Sequence, residues 1–168
     1  MRIEEDIKLD YADVLFRPKR STLSSRKDVE LKRTYNFKYS NHQWSGIPII
    51  AANMDGVGEI NMAKNLAKFD MMTCLTKQHS AKDIKRNSIV KEIYPHLMIS
   101  TGTSQEDFKR LNEILKEFSF FEFICIDIAN GYSDHFSKFV SSVREKYPTK
   151  TIIAGNVVTA DMTQELVM

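Results

Sequence analysis

Lys77 and Asp127 are two oppositely charged residues that each stand at the end of a short apolar run. Lys77 follows the run 71–76, and Asp127 is the last residue of the run 123–127. Opposite charges that meet beside a buried strand must either pair or take part in chemistry. Lysine and aspartate can both transfer protons, so these two residues are the first candidates for an acid–base site.

All five apolar runs of the chain finish in polar residues, at their last positions or just past them. The runs cover residues 47–53, 71–76, 97–101, 123–127 and 151–156. Because parallel strands of an α/β fold end at one edge, where active sites are built, we expect a shared pocket there. Its candidate residues, beside Lys77 and Asp127, are Asn53, Asp55, Ser100, Thr101, Asn130 and Asn156. For the single asparagines and Ser100 a purely structural reading stays open, since a chain that leaves the core is polar in any protein.

The apolar runs and the segments between them predict alternating strands and helices. Continuous, Ile-rich runs of this length are typical of strands that are buried on both faces in a parallel sheet. Ser80, Ser104 and Ser133 each precede a segment with one apolar stripe, which predicts an N-capped helix that covers one face of the sheet. Such strand–helix units favour either an open doubly wound sheet or a (β/α)8 barrel.

The segment ahead of these units has a different pattern. Residues 29–39 alternate apolar and polar side chains, with Arg33 interrupting the series. This pattern predicts an antiparallel strand or hairpin that covers one end of the fold. We therefore divide the chain into an N-terminal arm and hairpin over 1–46 and a single α/β domain over 47–168.

Composition and charge exclude several classes of protein. The 168 residues are 42% hydrophobic and 27% charged, with a net charge of +2, which is ordinary globular composition. This balance gives no basis for a nucleic-acid or membrane partner. The charged N-terminus argues against a signal peptide, and Cys74 and Cys125 lie inside apolar runs, as reduced core thiols would. We therefore expect a cytoplasmic protein.

Motifs for metal and nucleotide binding are absent from the sequence. The four histidines match no zinc-binding spacing, so we expect no metal site in this chain. The chain has no G-x-G-x-x-G and no P-loop sequence, which argues against an open-sheet dehydrogenase. The basic stretch 17–21 could hold phosphates, although a solvated arm explains it equally well on charge alone.

Longer stretches of the sequence resemble the guanosine monophosphate reductase family. The matching motifs are DVLFRPKRSTLSSRKDVEL, PIIAANMDGVG, STGTS, CIDIANGYSDHF and PTKTIIAGNVVT, and the resemblance extends over the whole chain. The related inosine monophosphate dehydrogenases share the barrel but usually insert a regulatory domain after the helix of the second strand. Only about twenty residues separate Lys77 from Leu97 here, which leaves no room for that domain.

The resemblance implies a (β/α)8 barrel, a homotetramer and an NADPH-dependent oxidoreductase of purine salvage. Members of the family convert GMP to IMP and ammonia: a cysteine thiolate adds to C2 of the purine, ammonia leaves and a hydride arrives at C2. This chain supplies a truncated barrel of about five βα units, and the family's catalytic cysteine loop, K⁺ loop and main GMP phosphate site lie beyond them. We therefore expect the chain alone to be inactive. The alternative is a half-barrel that acts as a non-catalytic binding module.

The resemblance also implies roles for individual residues. Lys77 and Asp127 match residues that handle the departing ammonia and the cofactor. The implied cofactor contacts are Ser25, Arg26, Lys77, Asp127, Ile128 and Ala129, where Ser25 and Arg26 belong to an arm that reaches the NADPH of a neighbouring subunit. The pocket floor would be shaped by Asn53, Asp55, Asn130 and Asn156. The sequence departs from the family at Gly56, which replaces a threonine, and at Thr76 and Gln78, which replace histidines.

Overall fold

The computed structural model describes Ile7 and residues 9–168, and these fall into two compact units. The first unit extends to Glu30 and has neither a strand nor an α-helix among its described residues. The second unit, Leu31–Met168, holds all the described strands and α-helices. The division that we expect between residues 46 and 47 stays a prediction.

An antiparallel hairpin opens the second unit. Strand β1, Arg33–Phe37, pairs with β2, His42–Gly46. Asn41 lies in the connecting turn and adopts the left-handed conformation with φ 53°, which asparagine tolerates better than most residues. The predicted hairpin is therefore confirmed, although the regular strand begins only at Arg33, the residue that interrupts the apolar alternation.

Five parallel strands follow and pair in sequence order. They are β3 at Ile50–Ala51, β4 at Met72–Leu75, β5 at Leu97–Thr101, β6 at Phe123–Asp127 and β7 at Thr151–Gly155. The run 47–53 yields only the two-residue strand β3. Pro48 has no N–H to donate to a ladder, and the first hydrogen bond to the next strand runs from the Met72 N–H to the Ile49 carbonyl, at 3.0 Å.

Helices cover one face of this sheet, and serine caps start three of them. The helices are α1 at Ile60–Leu66, α2 at Ala81–Arg86, α3 at Val90–Ile93, α4 at Gln105–Glu117, α5 at Asp134–Lys146 and α6 at Ala160–Val167. The predicted caps Ser80, Ser104 and Ser133 begin α2, α4 and α5. The segment after α2 breaks at Asn87, with φ −108° and ψ 88°, so that two short helices replace one. None of the described helices is long and apolar enough to span a membrane.

The three central strands of the sheet, β4 to β6, are largely buried on both faces. The face toward the helices has a core that includes Leu75, Leu97, Ile99, Ile124 and Ile126. The opposite face carries a second cluster that includes Trp44, Met72, Cys74, Met98 and Phe123. Strands that are apolar on both sides need cover on both sides, and the five strands curl into half of a barrel.

The hairpin covers the N-terminal end of this half-barrel. Phe37 packs edge-on against Phe123, the first residue of β6, with ring centroids 5.5 Å apart. Trp44 packs edge-on against His96, which directly precedes β5, at 6.5 Å. The hairpin therefore closes one end of the curved sheet and leaves the C-terminal ends of the strands open.

Gly46 gives a direct test of how closely the hairpin packs. A Cβ atom at Gly46 would lie 2.5 Å from a ring carbon of Trp44 and closer still to the Asp70 carbonyl oxygen. We expect Gly46→Ala to lower the free energy of unfolding by about 2–3 kcal/mol, because the backbone cannot yield as a flexible side chain would. Urea unfolding of the purified protein measures this, and Ser45→Ala, which removes only an exposed hydroxyl contact with Thr34 at 3.1 Å, should lower the free energy of unfolding by less than about 1 kcal/mol. Equal midpoints for the two variants would contradict the packing described.

Candidate functional site

The C-terminal ends of the five parallel strands form one edge of the half-barrel. Six predicted pocket residues stand on this edge, just past or at the ends of their strands: Asn53, Asp55, Lys77, Asp127, Asn130 and Asn156. Ser25 and Arg26 belong to the first unit. There Ser25 caps the 3-10 turn Arg26–Asp28 through its hydroxyl, and Arg26 is exposed.

A hydrogen bond between Asn53 and Asp127 crosses the mouth of the half-barrel. The Asn53 Nδ2 donates to Asp127 Oδ2 at 2.8 Å, although Asn53 follows β3 and Asp127 ends β6, three strands along the sheet. The curl of the sheet makes this approach possible. One carboxylate oxygen is thereby fixed, and an ionised carboxylate has acceptor capacity for about four hydrogen bonds, so that Asp127 can still receive donors from a ligand.

Lys77 pairs with an acidic residue of the helix that follows the next strand. Its Nζ lies 3.8 Å from Oδ2 of Asp107, in the first turn of α4. Lys77 follows β4 and Asp127 ends β6. These two strands flank β5, so that the backbones of the two residues lie about 10 Å apart, or two strand spacings. The structure therefore brings both charged candidates to one edge, but pairs Lys77 with Asp107 rather than with Asp127.

The loop after β6 is hydrogen-bonded to the loop after β7. The N–H of Ile128 donates to the Gly155 carbonyl at 2.9 Å, and the Ile128 carbonyl accepts from the Asn156 N–H at 2.8 Å. Gly131 then donates to the Asn156 carbonyl at 2.9 Å, and a Cβ on Gly131 would lie 2.7 Å from that oxygen. Ile128 therefore uses both backbone groups within the protein, and its contribution to a cofactor site would be its apolar surface.

Asn130 holds the turn at this edge. Its Oδ1 accepts the Tyr132 N–H at 3.1 Å, which is an Asx turn. This contact supports the structural reading of Asn130 that the sequence left open beside its pocket role. Ala129 and Asn156 are exposed beside it.

Tyr132 is a site residue that the sequence analysis missed. Its hydroxyl oxygen accepts the backbone N–H groups of Val158 at 2.8 Å and Thr159 at 2.9 Å, and donates to Thr159 Oγ1 at 3.2 Å. The hydrogen bond with Thr159 and the N–H of Val158 lower the pKa of Tyr132 below its ordinary value. No sequence signal pairs a tyrosine with a loop about 26 residues later, because the contact depends on the β6–β7 register.

The two cysteines lie inside the half-barrel, below the candidate site. Cys74 is buried and Cys125 is partly buried, and both are free thiols, as expected. The hydrogen bond with Cys125, burial and the charge of Asp127 raise the pKa of Cys74. Cys74 is therefore a poor nucleophile, because the thiolate is the reactive form. Among the described residues, no group of three histidine, cysteine, aspartate or glutamate side chains could hold a metal ion.

Removal of the Tyr132 hydroxyl should loosen the loop after β7. Tyr132→Phe leaves the Val158 and Thr159 amides without their acceptor, and a lost hydrogen bond of this kind is worth about 1 kcal/mol. We expect amide hydrogen exchange at Val158 and Thr159 to accelerate by about fivefold or more. Tyr147→Phe is the matched control, since its hydroxyl donates to Asn112 at 2.5 Å in the helical layer. Unchanged exchange at both amides in Tyr132→Phe would show that the hydroxyl does not hold this loop.

Comparison with curated proteins finds relatives that share more than half of the residues of this chain. The chain is 55% identical over 170 aligned residues to a GMP reductase of Citrobacter koseri, and 54% identical to one of Escherichia coli O81. Each alignment covers 100% of this chain and 49% of the relative, so the chain spans about half the length of these proteins.

Comparison with solved structures supports the fold alone. The crystal structure of inosine 5′ monophosphate dehydrogenase from Legionella pneumophila superposes with a TM-score of 0.71 at 23% identity. The superposition covers 93% of this chain and 46% of the dehydrogenase chain. The half-barrel described above is thus a known arrangement.

A match to a protein-family model shows the family to which the chain belongs. The model described as IMP dehydrogenase / GMP reductase domain matches residues 8–168, which is nearly the whole sequence. The chain therefore belongs to the IMP dehydrogenase/GMP reductase family.

Proposed function

We propose that this chain belongs to a GMP reductase, which converts GMP to IMP and ammonia with NADPH. The observation that carries the proposal is the identity of 54–55% to GMP reductases along the entire chain. In this reaction the C2–N bond of the purine breaks and a C2–H bond forms. The chain covers about half of those relatives, so the activity is proposed for the whole protein.

Asp127 and Lys77 are the residues that we propose handle the departing nitrogen. Asn53 holds one oxygen of Asp127 at 2.8 Å, which leaves the carboxylate oriented and able to accept N–H groups of ammonia or ammonium. Lys77 carries an exposed amine at the same edge and can exchange a proton with the nitrogen as it leaves. Lys77 and Asp127 belong to different strands of this edge, so that ammonia, a small product, would be bound between the two side chains.

The residues at this edge also fit a nicotinamide cofactor. The Asp127 carboxylate keeps acceptor capacity, and the exposed Ala129 and half-buried Ile128 offer a surface beside it. We propose that these three residues and Lys77 hold NADPH, and that Ser25 and Arg26 bind the cofactor of a neighbouring subunit in a homotetramer. When bound, NADPH supplies the hydride that replaces the amino group at C2. Asp55 and Asn156 complete the proposed pocket beside Asn53.

The nucleophile that adds to C2 must come from another part of the protein. Cys74 is buried, and its pKa is raised by Cys125, by burial and by Asp127. Relatives that are about twice as long have room for a cysteine loop and for the K⁺ site that the resemblance implies. We therefore propose that the residues described here supply the proton-handling half of the active site.

The proposed function can be tested on the full-length gene product. We expect GMP-dependent oxidation of NADPH, followed by the absorbance of the reduced nicotinamide. Lys77→Met and Asp127→Asn should each lower kcat by about 10²-fold or more, because each removes a proton-handling group. Lys138→Met is the control, since Lys138 is exposed on α5, and its kcat should match wild type. A protein that instead oxidises IMP and does not reduce GMP would contradict the proposal.

The 168-residue polypeptide should not turn over GMP by itself. Cys74 is buried with a raised pKa, and Cys125 lies partly buried inside β6 rather than on a loop at the strand ends, so we expect neither thiol to add to the purine. The same assay, run on the purified polypeptide beside the full-length protein, checks this. Enzyme-dependent NADPH oxidation by the polypeptide would refute it, whereas a full-length gene product that binds NADPH without any turnover would favour the alternative of a non-catalytic binding module.

A further inference from the structure

Asp107 serves two partners at the start of α4. Its backbone N–H donates to the Ser104 hydroxyl at 3.0 Å, and its Oδ2 accepts the Ser104 N–H at 3.4 Å, which is a capping box. The same Oδ2 lies 3.8 Å from Nζ of Lys77. The Asp107 side chain is 16% exposed and that of Lys77 is 61% exposed, so the carboxylate lies deeper than the amine.

Gly102 makes room for this carboxylate. A Cβ on Gly102 would overlap Oδ2 of Asp107, lie 3.2 Å from its Cγ and come within 3.5 Å of the Lys77 Nζ. Any larger residue would therefore push Asp107 away from its place near Lys77. The loop between β5 and α4 thus has a glycine where the acid and the amine approach most closely.

Arg110, one helical turn after Asp107, holds the backbone next to Lys77. Its Nη1 donates to the His79 carbonyl at 3.0 Å, and its Nη2 donates to the Ser100 carbonyl near the end of β5. Burial lowers the pKa of Arg110, and the charge of Asp107 opposes that shift. The guanidinium therefore ties the turn after β4 to β5 with two charge-assisted hydrogen bonds.

We propose that Asp107 and Arg110 are positioning residues for Lys77. Arg110 fixes the turn that carries Lys77, and Asp107 holds the ammonium group at the edge of the half-barrel. A lysine has a long and flexible side chain, so that an unpaired Lys77 would spend little time in one geometry. The inference rests on the proposed function, because it assumes that Lys77 takes part in the reaction.

Variants of the full-length enzyme separate positioning from helix capping. Asp107→Asn keeps the shape of the side chain and an acceptor for Ser104, but removes the charge. We expect kcat to fall about tenfold while the KM for GMP changes by less than about twofold, because a misplaced group weakens the chemical step. Gly102→Ala, which displaces the carboxylate, and Arg110→Met should reproduce this loss. Ser104→Ala removes a cap of the same helix and keeps the carboxylate, so its Tm should fall while kcat stays within about twofold of wild type.

The Lys77→Met background shows whether the effect passes through Lys77. There, at high enzyme concentration, Asp107→Asn should change the residual rate by less than about twofold, because the group that it positions is gone. A capping effect would persist in both backgrounds. The proposal is overturned if Asp107→Asn keeps the wild-type kcat, or lowers the rate equally with and without Lys77.

A second readout keeps this inference separate from the proposed function. If the wild-type protein shows no GMP-dependent oxidation, the proposed function fails. Urea unfolding of the wild type, Lys77→Met, Asp107→Asn and the double variant then tests whether Lys77 and Asp107 interact. Non-additive midpoints for Lys77→Met and Asp107→Asn would support a direct interaction. Additive midpoints would overturn it.

Discussion

Parallel pairing of β3 through β7 is the constraint on which the candidate site depends. Because all five strands run the same way and pair in sequence order, every strand places its C-terminal residue at one edge. The curl of the sheet then arranges the strand ends in an arc. The hydrogen bond between Asn53 and Asp127 is direct evidence of that curl. A flat sheet would keep these two side chains about three strand spacings apart, or about 14 Å, and no hydrogen bond could join them.

The helical layer keeps the site rigid from outside. Phe121 and Phe136 are fully buried, and burial of a large apolar side chain contributes about 1.5–3 kcal/mol. Helices α4 and α5 contact each other through Phe108 and Phe139, whose ring centroids lie 5.5 Å apart. Since α4 also carries Asp107 and Arg110, the same helix that packs the core fixes the surroundings of Lys77. Core packing and site geometry are therefore parts of one arrangement.

Much of the fold was predictable from sequence, because local patterns determine it. The strands Leu97–Thr101 and Phe123–Asp127 match the predicted runs, since both are apolar and end in polar residues. Serine caps marked three helices correctly for the same local reason. The first strand was predicted too long, because the pattern of apolar residues does not register the missing N–H of Pro48. The Lys77–Asp107 pair, the Arg110–His79 hydrogen bond and the contacts of the Tyr132 hydroxyl were not predictable, because these partners come from other βα units and depend on register and curl.

The loop after β3 shows how the backbone conformation at Gly56 acts on the site. Gly56 has φ +72°, and no atom would lie within 4 Å of a Cβ built there. Glycine is therefore favoured by its left-handed backbone conformation and not by a lack of room for a side chain. The Met54 carbonyl accepts from Val57 at 3.0 Å and from Gly58 at 2.9 Å, which closes a tight turn directly after Asn53. A threonine at position 56 would resist this left-handed conformation, since β-branched residues rarely adopt it. Because the Asn53 amide fixes Asp127, the conformation of this loop bears on the carboxylate at the centre of the candidate site.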